Sequence, residues 1–361
     1  MAIFLDSNAH VPLNKSALKA FIEFNNSPAA HGHAMSPSLP GRQAASLIET
    51  ARAKIAELIG AKSPNQIVFT SSCTSACEWA LEIAKKQNFK KYYLSPIEHS
   101  AVKTKFRDLF GISDLNANKD GVVACGFESP NTFITCIYAQ NEIGVIQQIE
   151  NIKTPFFSDM SQALGKIPVN VSKYPNLKIA VFGAHKFGGP VSVGFMYLQD
   201  SSWWTEFGTG SRYFPDRTGT PDASLIVCTA AALEESIKTL PERYYNMIKF
   251  RDVIEGTVEE LGMSVIGKAA QRLPNTSFIK VGDKMGPYLL SQLEQDGIFI
   301  GLGSACGGIN MGPNPTMVNL GYGNNSHDFI RISTFGEYSN RDAYTVAQAI
   351  KKYSPKKTDI K

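Results

Sequence analysis

The sequence predicts an α/β fold, with a large domain built on a mainly parallel sheet and a smaller α+β domain after it. Three observations carry this expectation. Apolar, strand-like segments alternate with amphipathic, helix-like ones over the first two thirds of the 361 residues. After Thr229 the texture changes to a long charged helical stretch, and then to short strands. The composition, 43% hydrophobic and 19% charged, is that of a globular chain long enough for a substantial core.

The elements follow in order. From Arg42 to Ile59 the apolar residues Ile48, Ala51, Ile55 and Leu58 recur three and four apart, and Gly60 follows, which predicts an amphipathic helix with a glycine stop. Gln66–Thr70 (QIVFT) reads as a strand, SSCTS as a polar turn, and ACEWALEIAKK as a second helix. Further strands are expected at KYYLS near Tyr92, TFITCIYA near Ile134, PFFSD ending at Asp159, KIAVFG ending near Gly183, and VGFMYL near Met196. The stretch from AALEES to GTVEEL reads as one or two long helices bridging to the second domain, where TSFIKV, GIFIG and FIRIS are short strands. There is no internal repeat and no low-complexity segment.

Charge and cysteine usage narrow the function. A net charge of +4, with basic residues dispersed except for the tail Lys351, Lys352, Lys356, Lys357 and Lys361, does not argue for direct nucleic-acid binding. The opening MAIFLDSNAHVP has no basic leader, and Asp6 breaks its apolar run, so neither a signal nor a transit peptide is expected. No apolar stretch approaches a membrane span. The six cysteines, Cys73, Cys77, Cys125, Cys136, Cys228 and Cys306, lack paired C-x-x-C spacing, so no metal is expected, and a reducing, cytoplasmic setting fits. Most of these thiols should be small buried hydrophobes. The glycine-rich Gly301–Gly308 precedes no long helix and is a poor dinucleotide fingerprint.

Five features carry chemistry. The run Ile179–Pro190 (IAVFGAHKFGGP) delivers Lys186 from an apolar strand into a glycine-rich turn, where desolvation would favour the neutral amine that forms Schiff bases. A structural lysine at a strand end would look the same. The turn Thr70–Ser75 offers hydroxyls and free N–H groups at a helix N-terminus, either a phosphate cradle or a simple N-cap. Asp159 closes a buried strand with Gln162 three residues on, and needs a cationic partner or helix-capping donors. His99, after KYYLS, suits stacking on a flat cofactor and proton shuttling, or capping. Cys306, among Gly303, Ser304, Gly307 and Gly308, is either an accessible reactive thiol or an ordinary loop cysteine.

Taken together, FLDSNAHVP, GRQA, IVFTSSCTSA, IEHSAV, QNEIG, DMSQALGKIPV, GAHKFGGP, RTGTPD, GSAC and IRIS, in that order, resemble the cysteine desulfurases of the NifS/IscS type within the class V aminotransferases. The resemblance implies the type I fold of pyridoxal-phosphate-dependent transferases, with a large domain (14–240) on a sheet of the seven-stranded type. Residues 1–13 and 241–361 would form the small domain that carries the cysteine loop. It implies that Lys186 holds pyridoxal 5'-phosphate covalently, Asp159 pairs with the pyridine nitrogen, Gln162 with the ring hydroxyl, and that His99 stacks on the ring. Cys73, Thr74 and His185 would hold the phosphate, and Thr220 would reach the cofactor of a second subunit, which implies a homodimer. Asn141 and Arg331 would bind L-cysteine, and Cys306 would take its sulfur as a persulfide for an acceptor protein, leaving alanine. GSAC matches the subgroup with a longer, mobile cysteine loop.

This chain departs from the family pattern at several positions. Gly183 replaces a serine whose hydroxyl helps to bind phosphate, which implies one contact fewer and a weaker grip on the cofactor. Ser7, His10 and Val11 alter the N-terminal motif, and Ser72, Cys73 and Ser75 surround the retained Thr74. Such drift points to a specialised branch, serving DNA phosphorothioation, tRNA thiolation or iron–sulfur assembly. Selenocysteine lyase, another class V enzyme, or a docking scaffold with little catalysis are the alternatives.

Overall fold

The computed structural model describes residues 2–205, 222–303 and 313–354. Thr220 and Cys306 therefore lie outside the described residues. The strands are β1 (Ile3–Leu5), β2 (Ile67–Thr70), β3 (Lys91–Tyr93), β4 (Thr132–Thr135), β5 (Phe156–Asp159), β6 (Leu177–Gly183), β7 (Gly194–Leu198), β8 (Ser264–Val265), β9 (Thr276–Lys280), β10 (Ile298–Ile300) and β11 (Phe329–Ser333). The helices are α1 (Lys15–Asn25), α2 (Leu39–Ile59), α3 (Cys73–Lys86), α4 (Ser100–Phe110), α5 (Ser202–Thr205), α6 (Ala223–Lys238), α7 (Leu240–Glu260), α8 (Met285–Gln295), α9 (Pro315–Asn319) and α10 (Asn340–Tyr353).

A six-stranded sheet ordered β2-β7-β6-β5-β4-β3 forms the centre. The run from β3 to β6 is parallel, and β7 is antiparallel to both its neighbours. The expected seven-stranded sheet thus shows six strands among the described residues. Strands β2, β4, β5 and β7 are buried at every position, which is why they read as unbroken apolar runs. Their side chains, with those of β6, alternate between two cores. Phe69, Ala180, Phe182, Phe195 and Tyr197 join α2 and α6 on one face. Val68, Ile179, Val181, Met196 and Leu198 join α3 and α4 on the other.

The expected helix at Arg42–Ile59 begins three residues earlier. Ser38 caps α2 by accepting from the Gly41 amide at 3.3 Å, and Gly60, at φ 72°, ends it in the left-handed conformation. The long stretch after Thr229 is two helices. Pro241, in the first turn of α7, has no N–H for the preceding turn and breaks the run at Thr239.

A further core packs α7, α8 and α10 against the antiparallel sheet β11-β9-β8 and the parallel pair β1-β10. Strand β1 carries Ile3 and Leu5 into this core, although α7 begins at Leu240, 235 positions after β1 ends at Leu5, so the N-terminal segment closes against the C-terminal part of the chain. The segment following β1 then crosses to the large sheet, where the Val11 amide donates to the His185 carbonyl at 3.0 Å. No described helix is long and apolar enough to cross a membrane.

Candidate active site

Parallel strands bring their carboxyl ends to one edge of a sheet, and the chain leaves β2, β5 and β6 there at three functional turns. Outside this edge lies a cavity of about 180 Å³, lined from the sheet side by Cys73, Thr74, His99, Asp159, Gln162 and Lys186. Asn141, in the loop after β4, lines it as well, and Asn8 and Arg331 face it from the other side.

Lys186 sits in a 3-10 turn, Ala184–Lys186, directly after β6. Its Nζ donates to the carbonyls of Asn8 and Ala9 at 2.8 and 2.7 Å. Burial, followed by the Arg331 charge, brings its pKa down to about 8, against the pull of Cys73, Asp159 and Asp6. A useful fraction of the amine is therefore neutral and nucleophilic near pH 8. His185, half-buried and stacked 6.3 Å from His10, is held near 4 by burial and by the Lys186 charge, so its ring is neutral.

Asp159 ends β5 with 7% of its surface exposed, and its Oδ1 accepts from the Ser161 amide at 2.9 Å. No helix opens directly after β5, so Asp159 caps a turn and not the helix that its capping reading expected; one oxygen is held by the backbone while the carboxylate still lines the cavity. Gln162 donates from Nε2 to the Asn8 carbonyl at 2.9 Å, and its Oε1 accepts from Lys166. That lysine is fully buried, also donates to Asn8 Oδ1 at 2.8 Å, and is pushed well below the lysine range by burial and by Lys186.

The turn after β2 opens α3. Ser72 is the N-cap and accepts from the Ser75 amide at 3.0 Å, leaving Cys73 and Thr74 in the first helical turn, where amides and the helix dipole favour an anion. Strand β7 runs so close to this turn that a Cβ on Gly194 would stand 2.5 Å from the Ser72 backbone, so only glycine fits there. The Ser161 hydroxyl lies 3.0 Å from Cys73 Sγ and accepts from the Gly183 amide at 3.1 Å. His99 is the N-cap of α4: its Nδ1 accepts from the Ala101 amide at 3.2 Å, which leaves the proton of the neutral ring on Nε2. Capping and facing the cavity coexist here as well.

Arg331, on β11 and 1% exposed, reaches the cavity from the further core of α7, α8 and α10. Its Nε and Nη2 donate to Asp6 Oδ1 at 3.1 and 2.6 Å, and its Nη1 donates to the Asn141 carbonyl at 3.0 Å. The cavity therefore combines a desolvated amine, a buried carboxylate, an anion-binding helix start and a fixed guanidinium. Residues 3–343 match the family model described as Aminotransferase class-V.

The chain belongs to the class-V aminotransferases. The cysteine desulfurase IscS of Dictyoglomus turgidum is 28% identical over 368 residues, which cover 94% of this chain and 91% of that relative. The cysteine desulfurase IscS of Methanosarcina thermophila is 27% identical over 371 residues, with 97% and 91% covered. A solved NifS-like protein superimposes with a TM-score of 0.83 at 25% identity, covering 98% of this chain and 99% of that one. The architecture is the type I fold of pyridoxal-phosphate-dependent transferases.

In this class-V aminotransferase the cavity and the groups behind it also include residues that the sequence patterns do not single out. Asn8 and Ala9 receive the Lys186 amine through backbone carbonyls, which no side-chain pattern encodes. Asp6 appears in sequence only as a break in an apolar run, yet it holds Arg331. Cys77 is buried as expected, and it also lines the cavity one helical turn from Cys73. Glu98, buried beside His99, is raised to about 8 by burial and by the Asp159 carboxylate.

Proposed function

We propose that this chain is a pyridoxal-phosphate-dependent L-cysteine desulfurase. The observation that carries the reading is the convergence of Lys186, Asp159 and Arg331 on one cavity, each from a different element. The residues fit the cofactor group by group. The first turn of α3, with Cys73 and Thr74, suits a phosphate beside His185, and Asp159 is a buried anion for a protonated ring nitrogen. Gln162 suits the ring hydroxyl, His99 the ring face, and Lys186 is the amine for covalent attachment. When bound, the cofactor supplies an electron sink for charge developing at the substrate Cα.

The remaining chemistry falls to the chain itself. Arg331 and Asn141 orient the substrate carboxylate, since a guanidinium already fixed by Asp6 loses little further entropy on binding it. Lys186, with its lowered pKa, is suited to take the Cα proton and return it. The Cys306 thiolate attacks the substrate sulfur: an S–S bond forms, the Cβ–S bond breaks with its electron pair left on carbon, and protonation of that carbon gives alanine. The persulfide then passes to an acceptor protein that serves phosphorothioation, tRNA thiolation or iron–sulfur assembly. The same reading takes a homodimer in which Thr220 would reach the cofactor phosphate of the other subunit, a large domain of residues 14–240 with a small one of 1–13 and 241–361, and a cytoplasmic setting.

Two variants test it. Lys186→Ala abolishes the yellow absorbance of the cofactor-loaded protein. Cys306→Ser keeps that absorbance but acquires no labelled sulfur from [35S]cysteine, and desulfuration by this variant at the normal rate would overturn the role of Cys306.

A further inference from the structure

The proposed reaction leaves two thiols at the floor of the cavity without a use as thiols. Cys73 is the first residue of α3 and Cys77 stands four residues on, so their side chains share one helix face. The end of β5 brings Asp159 against them. The two sulfurs and a carboxylate oxygen of Asp159 all lie within 4.8 Å of one another, and all three residues line the same cavity. Cys77 and Asp159 are buried, while half-buried Cys73 stands nearer the opening. Of the two Asp159 oxygens, Oδ1 is engaged by the Ser161 amide, and Lys186 spends its hydrogen bonds on two backbone carbonyls.

We propose that the cofactor-free protein binds one thiophilic divalent cation of filled d shell, zinc being the biological member of that class, through Cys73, Cys77 and Asp159. The dimensions agree. Bonds of about 2.3 Å to sulfur and about 2.1 Å to oxygen place tetrahedral ligands roughly 3.5–3.8 Å apart, inside the separation already present. Two thiolates with one carboxylate select zinc-like ions over magnesium or calcium, which require shells of oxygen. Three protein ligands leave a fourth position open to water from the cavity. Binding is balanced by the release of two thiol protons to solvent.

Only one corollary rests on the function proposed above. Asp159 is the residue assigned to the cofactor ring nitrogen, so cation and cofactor exclude one another. Cofactor-free protein exposed to zinc is then blocked from loading, and loaded protein resists zinc.

Cobalt(II) makes the site visible, because thiolate ligation gives an intense near-ultraviolet charge-transfer band and tetrahedral geometry gives visible bands. The protein would carry Cys306→Ser to remove the loop thiol from consideration. One equivalent of cobalt should produce both signatures, and zinc should bleach them one for one. Cys73→Ala and Cys77→Ala should each weaken binding at least tenfold, whereas Cys125→Ser, which alters the thiol pair Cys125–Cys136 elsewhere, should leave it unchanged. Absence of the charge-transfer band, or its persistence in both alanine variants, overturns the site. Pyridoxal phosphate added to the cobalt form should abolish the band as the cofactor absorbance grows. Growth of that absorbance with the band intact overturns exclusion, while a cobalt site in a protein that never takes the cofactor leaves the metal proposal standing and removes the desulfurase reading.

Discussion

The two walls of the cavity are built in different ways. The sheet-side wall is a set of strand ends: Asp159 closes β5, Lys186 follows β6, and α3 starts directly after β2. Each position is set locally, by a turn and its own hydrogen bonds. The opposite wall has no such local origin. Arg331 comes from β11 of a separate core, Asp6 and Asn8 from the segment after β1; Arg331 meets Asp6 across 325 residues of sequence, and Asn275, just before β9, meets Asn8 across 267. The first wall carries the groups suited to the cofactor, and the second those suited to the substrate. The two join where Lys186 donates to Asn8 and Ala9, and where Arg331 donates to Asn141.

The largest expected effect bears on the sheet-side wall. Lys186 has a pKa of about 8 in the fold, against 10.5 when exposed. Between these values the unfolded chain binds the extra proton, so this group's contribution to stability rises with pH across that window. The same shift governs cofactor capture, since only the neutral amine attacks a carbonyl. Mixing cofactor-free protein with pyridoxal phosphate should give a capture rate that climbs through about pH 8 and levels above it. At pH 7 this exceeds the rate for an exposed lysine of equal reactivity by more than a hundredfold. A midpoint near pH 10 would show that the wall does not desolvate the amine.

On the opposite wall the effect should be confined to substrate. Arg331→Lys keeps the charge but loses the planar fork, and a lost charge-assisted hydrogen bond costs about 1.5–3 kcal/mol. KM for cysteine should rise roughly ten- to a hundredfold, with the cofactor absorbance unaltered. A variant that bleaches the cofactor would mean that the walls are one cooperative unit. Asp6→Asn is the milder probe, because Asp6 acts through Arg331 and is itself part-exposed. It should raise KM several-fold, about 1 kcal/mol, leave the spectrum unchanged, and recover part of the loss in Asp6→Glu.

The same division explains what the sequence makes legible. Strands β2, β4, β5 and β7, and β6 beyond Lys178, are buried on both faces, so their apolar runs stand out, and the residues at their ends inherit that clarity. Asp159 and Lys186 can be picked out because an ionisable group at the end of such a run is costly without a purpose. Strand β1 is three residues long with an exposed Phe4 at its centre, too short for periodicity to register. Asp6 has meaning only through Arg331, and Asn8 and Ala9 act through carbonyls. The pairing of Cys73, Cys77 and Asp159 needs both a helical turn and a neighbouring strand, so spacing alone cannot show it.

The smallest expected effect concerns the place where this chain departs from its family. Gly183 lacks the usual serine, and the geometry supplies a reason: a Cβ there would stand 3.2 Å from Cys73 Cβ and 3.2 Å from the His185 ring. Cys73 thus occupies space that a side chain at 183 would need, while the Ser161 hydroxyl accepts from the Gly183 amide. Gly183→Ser alone should crowd the turn and cost about 1 kcal/mol of stability, read by denaturant unfolding of the cofactor-free protein. Adding Cys73→Gly, which removes the Cβ in contact, should relieve part of that cost in the same unfolding measurement. If the double variant is as crowded as the single one, His185 and not Cys73 sets the limit at position 183. The glycine would then owe nothing to the cysteine across from it.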